Sequence, residues 1–271
     1  MTRVAVQQLV PALGDLEANR ALAPAAVREA ADAGAQVVVL PELVTSGYVF
    51  ESAAEAAAAA IPSDHEILAE WAAEAARHGL VIAAGFAEAG DDGKTYNSAA
   101  LLDASGLRAV YRKLHLWDGE KRLFEPGSAA PPVVETPVGK VSVMVCYDLE
   151  FPELTRSVAL RGTQLLCVPT NWPLMERPEG ERPAEAVVAM GTARVNRMAI
   201  ACADRLGVER GVPWTGGSSI VGADGWVAAE TREVGMIVAD VDLEAALDKK
   251  LTELADAFGD RRPDLYASFE G

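Results

Sequence analysis

Three chemically reactive side chains each stand where an apolar stretch of the chain ends. Glu42 follows an apolar run and a proline, Lys113 closes "LRAVYRK", and Cys146 closes "KVSVMV". Ligand sites in open α/β sheets gather beyond the carboxyl ends of strands, so residues this far apart in sequence can meet there. A carboxylate in a partly dry pocket can take a thiol proton, while an ammonium stabilises both a thiolate and a developing oxyanion. The three residues therefore predict nucleophilic catalysis by a cysteine.

The immediate neighbours of Cys146 are a difficulty for this prediction. Residues 143–153 read "VMVCYDLEFPE", and nearby carboxylates oppose formation of a thiolate whose ordinary pKa is about 8.5. We expect the distant lysine to offset them, and we expect some of these acids to face solvent or neighbouring arginines such as Arg156. The acids are Asp148, Glu150 and Glu153. The thiol would then be activated from elsewhere in the chain.

The elements that must position these residues alternate between strand and helix, which indicates an α/β fold. Short, mostly apolar strands are predicted at 3–9, 36–40, 80–86, 96–103, 107–113, 140–145, 164–168, 200–203, 218–221, 226–230 and 235–240. Helices are predicted at 15–33, where Pro24 would kink or split the helix, and at 152–160 and 184–198. Another helix to residue 78 follows Ser63 and Glu66, which have the spacing of a capping box. No Gly/Ser linker or charge block divides the chain, so we predict one domain over residues 1–271.

The chain repeats its own plan. "GAQVVVLPEL" from Gly34 matches "GTQLLCVPTN" from Gly162, and "AALLDASGL" matches "SSIVGADGW" further along each half. Two matches in the same order indicate a strand–helix unit that is used twice. Uniformly apolar short strands between helices imply a covered sheet, so we expect the two halves to pack sheet against sheet with helices outside.

Composition limits the possible partners. The chain of 271 residues is 50% hydrophobic and has a net charge of −16 at pH 7. Nucleic-acid binders and proteins of anionic membranes carry basic patches, so this charge argues against both and favours a small neutral or cationic ligand. No apolar run approaches the ~20 residues of a membrane span. Cys167 and Cys202 lie inside apolar strands and form no CxxC pair, so we expect core residues, no disulfide or metal site, and a cytoplasmic protein.

Three segments resemble the motifs of the nitrilase, or carbon–nitrogen hydrolase, superfamily. "LPELVTSGY" is similar to its glutamate motif, "YRKLHLWDGEKRLFEPG" to its lysine motif and "VMVCYDLEFPE" to its cysteine motif, while "DRRPDLY" resembles the tails of short bacterial and archaeal members. The resemblance implies an α-β-β-α sandwich with a pseudo-twofold internal repeat. It also implies homodimers or larger assemblies, and a thioester or thioimidate route without metal or cofactor.

The resemblance also assigns roles to individual residues. The base, the lysine and the nucleophile fall on Glu42, Lys113 and Cys146. Many members have a second glutamate shortly after the lysine, which matches Glu120; its implied role is to keep the lysine charged and to orient the substrate amide. Glu125 is a weaker match for that glutamate.

Substrate-binding side chains are predicted just beyond strand ends and within the motifs. They are Tyr48, Trp117, Asn171 and Trp172, and the resemblance adds Tyr147, whose backbone N–H would share the oxyanion with the lysine. A small aromatic-walled site favours a short aliphatic carboxamide, hydrolysed to a carboxylic acid and ammonia. Three acids on the next loop would attract an amine-bearing substrate or simply be solvated; they are Glu176, Glu179 and Glu181.

Other functions stay open at this point. The same residues would serve a nitrilase, which makes acid and ammonia directly from a nitrile, or an N-carbamoyl amine hydrolase. A Cys–His hydrolase would use His115, two residues past the lysine. A binding protein with a vestigial site is a further, non-enzymatic alternative.

Overall fold

Two six-stranded mixed sheets form the centre of the computed structural model, which describes residues 1–266. In spatial order the first sheet contains β14 (Gly235–Val241), β1 (Thr2–Gln8), β2 (Val37–Val39), β3 (Val81–Ala89), β4 (Thr95–Asp103) and β5 (Gly106–Arg112). The second contains β13 (Val227–Glu230), β12 (Ser219–Val221), β9 (Ala199–Ala203), β8 (Leu165–Pro169), β7 (Gly139–Val143) and β6 (Val133–Thr136). A separate hairpin joins β10 (Val208–Glu209) to β11 (Val212–Pro213).

Helices cover the outer faces of both sheets. The helices are α1 (Leu16–Asp32), α2 (Ala53–Ala58), α3 (Glu66–His78), α4 (Pro152–Leu160), α5 (Ala184–Asn196) and the short α6 (Pro263–Tyr266). Apolar residues of α1 and α3 pack on the first sheet, and those of α4 and α5 pack with the second. Within residues 1–266, no helix has the length and apolar character needed to cross a membrane.

Side-chain alternation along the strands produces this layering. On β1, Val4 and Val6 enter the core between the sheets, whereas Ala5 faces the α1 and α3 layer. On β2, Val37 and Val39 likewise face the second sheet and Val38 faces the helices. Successive side chains of a strand point to opposite faces, so an all-apolar strand is the pattern of a sheet that is buried on both. The predicted α-β-β-α sandwich is confirmed.

The two sheets repeat one topology. β1, β2 and β3 are parallel and continue into antiparallel β4 and β5; β7, β8 and β9 are parallel and continue into antiparallel β12 and β13. The matching glutamines, Gln36 and Gln164, make equivalent hydrogen bonds in the two halves. The Gln36 side-chain oxygen accepts from Arg3 N at 3.1 Å, and that of Gln164 accepts from Lys140 N at 2.9 Å.

Several local expectations were wrong or incomplete. Helix α1 runs through Pro24 without a break. Helix α3 begins at Glu66 and is capped by His65, whose ring nitrogen accepts from Ile67 N at 3.2 Å, so Ser63 and Glu66 form no capping box. Sequence analysis predicted none of α2, α6, β6, the hairpin of β10 and β11, or the 3₁₀ helices at Asp118–Arg122 and Cys146–Glu150.

Candidate active site

A buried ammonium lies between two carboxylates at one end of the sheets. Lys113 Nζ is 2.8 Å from Glu42 Oε1 and 2.8 Å from Glu120 Oε2, and all three side chains are almost completely inaccessible to solvent. Burial opposes the charge of Lys113, but Glu120 and Glu42 outweigh it and hold the pKa of the ammonium well above its usual value. The lysine is therefore a fixed cation in a dry site.

Glu42 is a poorly solvated carboxyl with one free oxygen. Its Oε1 accepts from Lys113 and, at 2.7 Å, from Asn97 Nδ2, whose other hydrogen reaches Glu120 at 2.8 Å. Its Oε2 is buried and has no hydrogen-bond partner within residues 1–266. Burial raises the pKa of Glu42 to about 7, although Lys113 opposes the rise. A carboxyl with this pKa and an unoccupied oxygen is suited to proton transfer near neutral pH.

Cys146 sits at a strained turn directly after the apolar stretch that continues β7. Its φ of 49° lies in the left-handed region, where residues other than glycine are uncommon, and it begins a 3₁₀ helix. The residue is 6% exposed. Burial and then the charge of Glu42 raise the pKa of the thiol, while Lys113 and the backbone N–H of Asn171 lower it. The arrangement favours a neutral thiol at rest.

Two glycines allow the backbone to bring these groups together. A Cβ on Gly85 of β3 would lie 2.5 Å from Glu42 Cα, so only glycine lets the loop after β2 approach that strand. A Cβ on Gly127 would lie 2.2 Å from the carbonyl oxygen of Arg112, and Gly127 N donates to Lys113 O at 2.8 Å. These glycines fix the backbone that carries Glu42 and Lys113.

The acids after Cys146 divide into one buried and two exposed groups. Glu150 and Glu153 face solvent, as expected, whereas Asp148 is completely buried, contrary to the possibility that it pointed outward. Asp148 accepts from the Tyr111 hydroxyl at 2.8 Å and from His115 N at 2.9 Å, so its charge is engaged by neighbouring donors. Arg156 pairs with none of these acids, and its guanidinium donates to Val195 O at 2.9 Å. Asp148 thus ties the segment after the lysine to the cysteine helix.

His115 belongs to this supporting structure. Its Nδ1 lies 2.8 Å from Asp148 Oδ1, and its ring stacks on Phe151 at 3.5 Å between centroids. The charged groups that shift the pKa of Cys146 are Glu42, Lys113 and Glu120. The contacts of His115 therefore favour a supporting role over that of the base in a Cys–His pair.

A cavity of about 220 Å³ opens onto the cluster through Glu120. Tyr48 and Trp117 line it, as the sequence predicts, and Trp214 and Phe50 add aromatic surface that sequence reasoning missed. Its other lining residues are Val49, Asp118, Gly119, Leu123, Pro173 and Val212. Burial, followed by the charges of Glu120 and Glu42, raises the pKa of the Tyr48 phenol well above its usual value, so Tyr48 stays neutral.

The remaining predicted pocket residues lie around this cavity rather than in its lining. Asn171 is buried and its side-chain amide donates to Glu42 O at 2.9 Å, which places it beside the backbone of Glu42. Trp172 is packed in the core, where a Cβ on Gly217 would approach its ring at 3.0 Å. Tyr147 supports Trp117 by an edge-to-face contact at 4.9 Å. The acidic loop residues Glu176, Glu179 and Glu181 are exposed along a separate groove.

Asn97 is a further residue of the candidate site that sequence reasoning did not identify. It lies inside a predicted strand, on the first sheet, and one side chain serves both carboxylates. A polar residue in the otherwise small and apolar run "NSAALL" was the available signal. Within residues 1–266, no group of three or more His, Cys, Asp or Glu side chains has the arrangement of a metal site.

The sequence matches the family model of carbon-nitrogen hydrolases over residues 3–248. The chain belongs to the carbon–nitrogen hydrolase family. A curated nitrilase from Pyrococcus abyssi is 36% identical and aligns over 98% of this chain and 99% of its own length. N-carbamoylputrescine amidase from Arabidopsis thaliana is 32% identical over 93% of this chain and 90% of its own. The predicted family and enzyme class are thus confirmed.

Solved amidases share the fold of this carbon–nitrogen hydrolase. A mutant amidase from Nesterenkonia sp. AN1, with acrylamide added to its active-site cysteine, superposes with a TM-score of 0.81 at 29% identity and covers 99% of this chain and 100% of its own. Another mutant of that amidase carries the acetamide moiety of fluoroacetamide on its active-site cysteine, with a TM-score of 0.79. This carbon–nitrogen hydrolase therefore has the nitrilase-superfamily sandwich over nearly its whole length.

Proposed function

We propose that this carbon–nitrogen hydrolase converts a short aliphatic carboxamide to a carboxylic acid and ammonia through a thioester on Cys146. The observation that carries the proposal is the buried cluster of Glu42, Lys113 and Glu120, whose charges act on the Cys146 thiol. A thiol that is neutral at rest needs a base with a matched pKa, and Glu42 offers one with an unoccupied oxygen.

The acylation step follows from this arrangement. Cys146 Sγ attacks the amide carbon as Glu42 takes the thiol proton, so a neutral thiol and a carboxylate become a carbon–sulfur bond and a carboxyl. Lys113 and the Tyr147 N–H stabilise the oxyanion, and one such donor is worth roughly 3 kcal/mol. When the carbon–nitrogen bond breaks, Glu42 passes its proton to the departing nitrogen, which leaves as ammonia.

Deacylation uses the same base. Glu42 takes a proton from water as the water oxygen attacks the thioester carbonyl, and it returns that proton to Cys146 Sγ when the carbon–sulfur bond breaks. Glu120 holds the ammonium of Lys113 throughout, at 2.8 Å. Because the proton is returned at the end, the cycle consumes one water and regenerates both the thiol and the carboxylate.

The cavity supports a small, uncharged or cationic acyl group. Its volume is about 220 Å³, and its walls are mostly aromatic and aliphatic. The charged residues of its lining are Asp118 and Glu120, and none of the described lining residues is basic. A substrate that carries a carboxylate besides its amide would have to bury a negative charge near these acids, at a considerable cost. Propionamide and butyramide are therefore better candidates than amides of dicarboxylic acids.

The test is ammonia release from a panel of amides, with variants of two buried cysteines. Cys146→Ala should lower kcat/KM for propionamide at least about 10³-fold, because the nucleophile is gone. Cys202→Ala is the matched control, since Cys202 is buried in β9 and outside the cluster, and should retain activity per folded molecule. Cys146→Ala or Cys146→Ser with more than a few per cent of the activity would contradict the proposal.

Nitrile hydrolysis is the second candidate, favoured by the 36% identity to the Pyrococcus abyssi nitrilase. The same thiol would add to a nitrile carbon to give a thioimidate, which two waters convert to acid and ammonia. Matched propionamide and propionitrile distinguish the two functions by their rates of ammonia release. N-carbamoyl amines belong on the same panel, because the Arabidopsis relative is an N-carbamoylputrescine amidase.

We further propose that the chain works as one domain in a cytoplasmic homodimer or larger homo-oligomer. Three free cysteines suit a reducing compartment. Exposed apolar residues on the outer helices support self-association; they are Leu160, Val187 and Val195. Light scattering coupled to size exclusion would measure the assembly, and a monomer at micromolar concentration would contradict it.

A further inference from the structure

A second buried ion pair lies behind the cavity and takes no part in the chemistry proposed above. Arg205 Nη1 is 2.7 Å from Glu209 Oε1, with side chains only 2% and 6% exposed. Arg205 follows β9 and also donates to Pro11 O at 3.0 Å, while Glu209 ends β10. Burying two charges is costly unless their hydrogen bonds are well satisfied, so such a pair calls for an explanation.

Glu209 accepts hydrogen bonds from the loop that carries Tyr48 and Val49, two lining residues of the cavity. Its Oε2 accepts from Tyr48 N at 2.8 Å and from Val49 N at 2.6 Å, and both of those residues line the cavity. Gly47 leaves room for this contact, because a Cβ there would lie 2.7 Å from Glu209 Oε1 and Gly47 has a φ of 73°. One carboxylate thus joins the hairpin, Arg205 and the backbone of this loop.

The same pair also supports a second aromatic residue of the cavity. The Arg205 guanidinium lies 4.9 Å from the centroid of the Trp214 ring, and Trp214 directly follows β11 of the hairpin. Trp214 in turn meets Tyr48 edge to face, with ring centroids 5.1 Å apart. At the hairpin tip, Arg210 donates to Val49 O at 2.9 Å. Tyr48 and Trp214 therefore form one aromatic wall of the cavity, and the contacts that hold this wall pass through Glu209 and Arg205.

We propose that Glu209, held by Arg205, is a positioning residue that sets the position of this aromatic wall in the cavity and so determines the length of acyl chain the enzyme accepts. The inference rests on the proposed amide hydrolysis and deepens it. Glu209 touches the wall backbone rather than the reacting groups, so it acts on substrate selection through Tyr48 and Trp214. One methylene in an apolar pocket changes specificity by roughly 10- to 200-fold, so a small shift of this wall is measurable.

Glu209→Gln is the decisive variant. Glutamine can still accept from Tyr48 N and Val49 N through one oxygen, but its NH₂ group would face the Arg205 donors, so the hairpin should move away from the loop. With acetamide, propionamide, butyramide and valeramide, we expect the valeramide-to-acetamide ratio of kcat/KM to rise at least about fivefold. The change should lie in KM, with kcat for propionamide within about threefold of wild type.

A structural role alone would behave differently. Asp103→Asn is the matched control, because Asp103 is 3% exposed and pairs with Arg108 at the β4–β5 turn, away from the cavity. It should reduce stability without changing the ratio. Titrating Cys146 with iodoacetamide counts the active sites in each preparation. If Glu209→Gln fails to fold, Glu209→Asp keeps the charge but shortens its reach to the loop and should also raise the ratio.

The outcomes separate the two proposals. If folded Glu209→Gln keeps a valeramide-to-acetamide ratio of kcat/KM within twofold of wild type and loses activity equally on all four amides, the positioning role of Glu209 is overturned. The proposed amidase function would then still stand. Wild-type enzyme that releases no ammonia from any of the four amides, or Cys146→Ala that still does, overturns the proposed function itself. A raised ratio that Asp103→Asn reproduces also overturns the positioning role.

Discussion

At the scale of single residues, the site depends on the balance of charge around one buried ammonium. Lys113 meets two carboxylates, and the acids differ in what else they touch: Glu42 has a free oxygen, whereas Glu120 also accepts from Trp117 N at 2.7 Å. The free oxygen suits a proton carrier. The fully engaged carboxylate suits a fixed counter-charge.

Glu120→Gln should separate this supporting role from the chemistry of the base. We expect kcat/KM to fall by roughly 10²-fold, because the lysine loses a buried counter-charge and an orienting partner. Glu125→Gln is the control and decides between the two candidates for the second glutamate. Glu125 is half exposed and pairs with Lys94, so its variant should stay within about twofold of wild type. A large loss in Glu125→Gln with an unaffected Glu120→Gln would reverse the assignment.

The raised pKa of Glu42 predicts the acid side of the pH profile. The carboxyl has a pKa of about 7, so it is protonated at lower pH and cannot accept the thiol proton. We expect kcat/KM to fall about tenfold per pH unit well below pH 7 and to level above it. A rate that is flat from pH 5 to pH 8 would exclude Glu42 as the base.

Sequence reasoning singled out Glu42, Lys113 and Cys146 because each ends an apolar stretch within its own motif, and the structure brings these three residues together. It missed Asn97, which bridges two carboxylates from the middle of a strand, where its register gives no sign of its partners. It also allowed the Asp148 side chain to face solvent, whereas this side chain is buried. The donors that surround it come from Tyr111 and His115, more than thirty residues earlier, and no local pattern reports such a contact.

At the scale of elements, the fold brings Glu42, the proposed base, into place through one close backbone approach. Gly85 on β3 and the loop at Glu42 nearly touch, with a virtual Cβ 2.5 Å from the Glu42 Cα. The all-apolar strands and the repeat could be predicted, since buried parallel strands have a recognisable composition. The hairpin of β10 and β11 could not, because its two-residue strands carry no periodicity and are held by Glu209 and Arg210.

Gly85→Ala tests the importance of this approach. The added methyl group should destabilise the protein by about 1–3 kcal/mol, as overpacking does, and should lower kcat/KM by displacing Glu42. Gly191→Ala is the control, because Gly191 lies in α5 and a Cβ there meets nothing within 4 Å. It should stabilise by about 0.5–1 kcal/mol at unchanged activity. Urea unfolding and propionamide kinetics measure both, and equal behaviour of the two variants would refute the argument.

At the scale of the whole molecule, the net charge of −16 acts on any charged substrate. The acidic lining of the cavity, with Asp118 and Glu120 and no basic lining residue among those described, has the same sign as the protein. A cationic amide should therefore be concentrated near the site and an anionic amide repelled, and both effects should weaken as salt screens them. The size of the charge was evident from composition, whereas its agreement in sign with the cavity required the structure.

Three amides of similar size and different charge test this electrostatic effect on the substrate. 3-Aminopropionamide is cationic at pH 7. Its kcat/KM should fall severalfold as ionic strength rises from ~0.01 M, where the Debye length is about 30 Å, to ~1 M, where the Debye length is about 3 Å. For succinamate, which is anionic, it should rise over the same range. Propionamide is neutral and should change little, which controls for effects of salt on the protein itself. If all three amides respond alike, salt acts on the enzyme, and the charge of the molecule has no part in selecting its substrate.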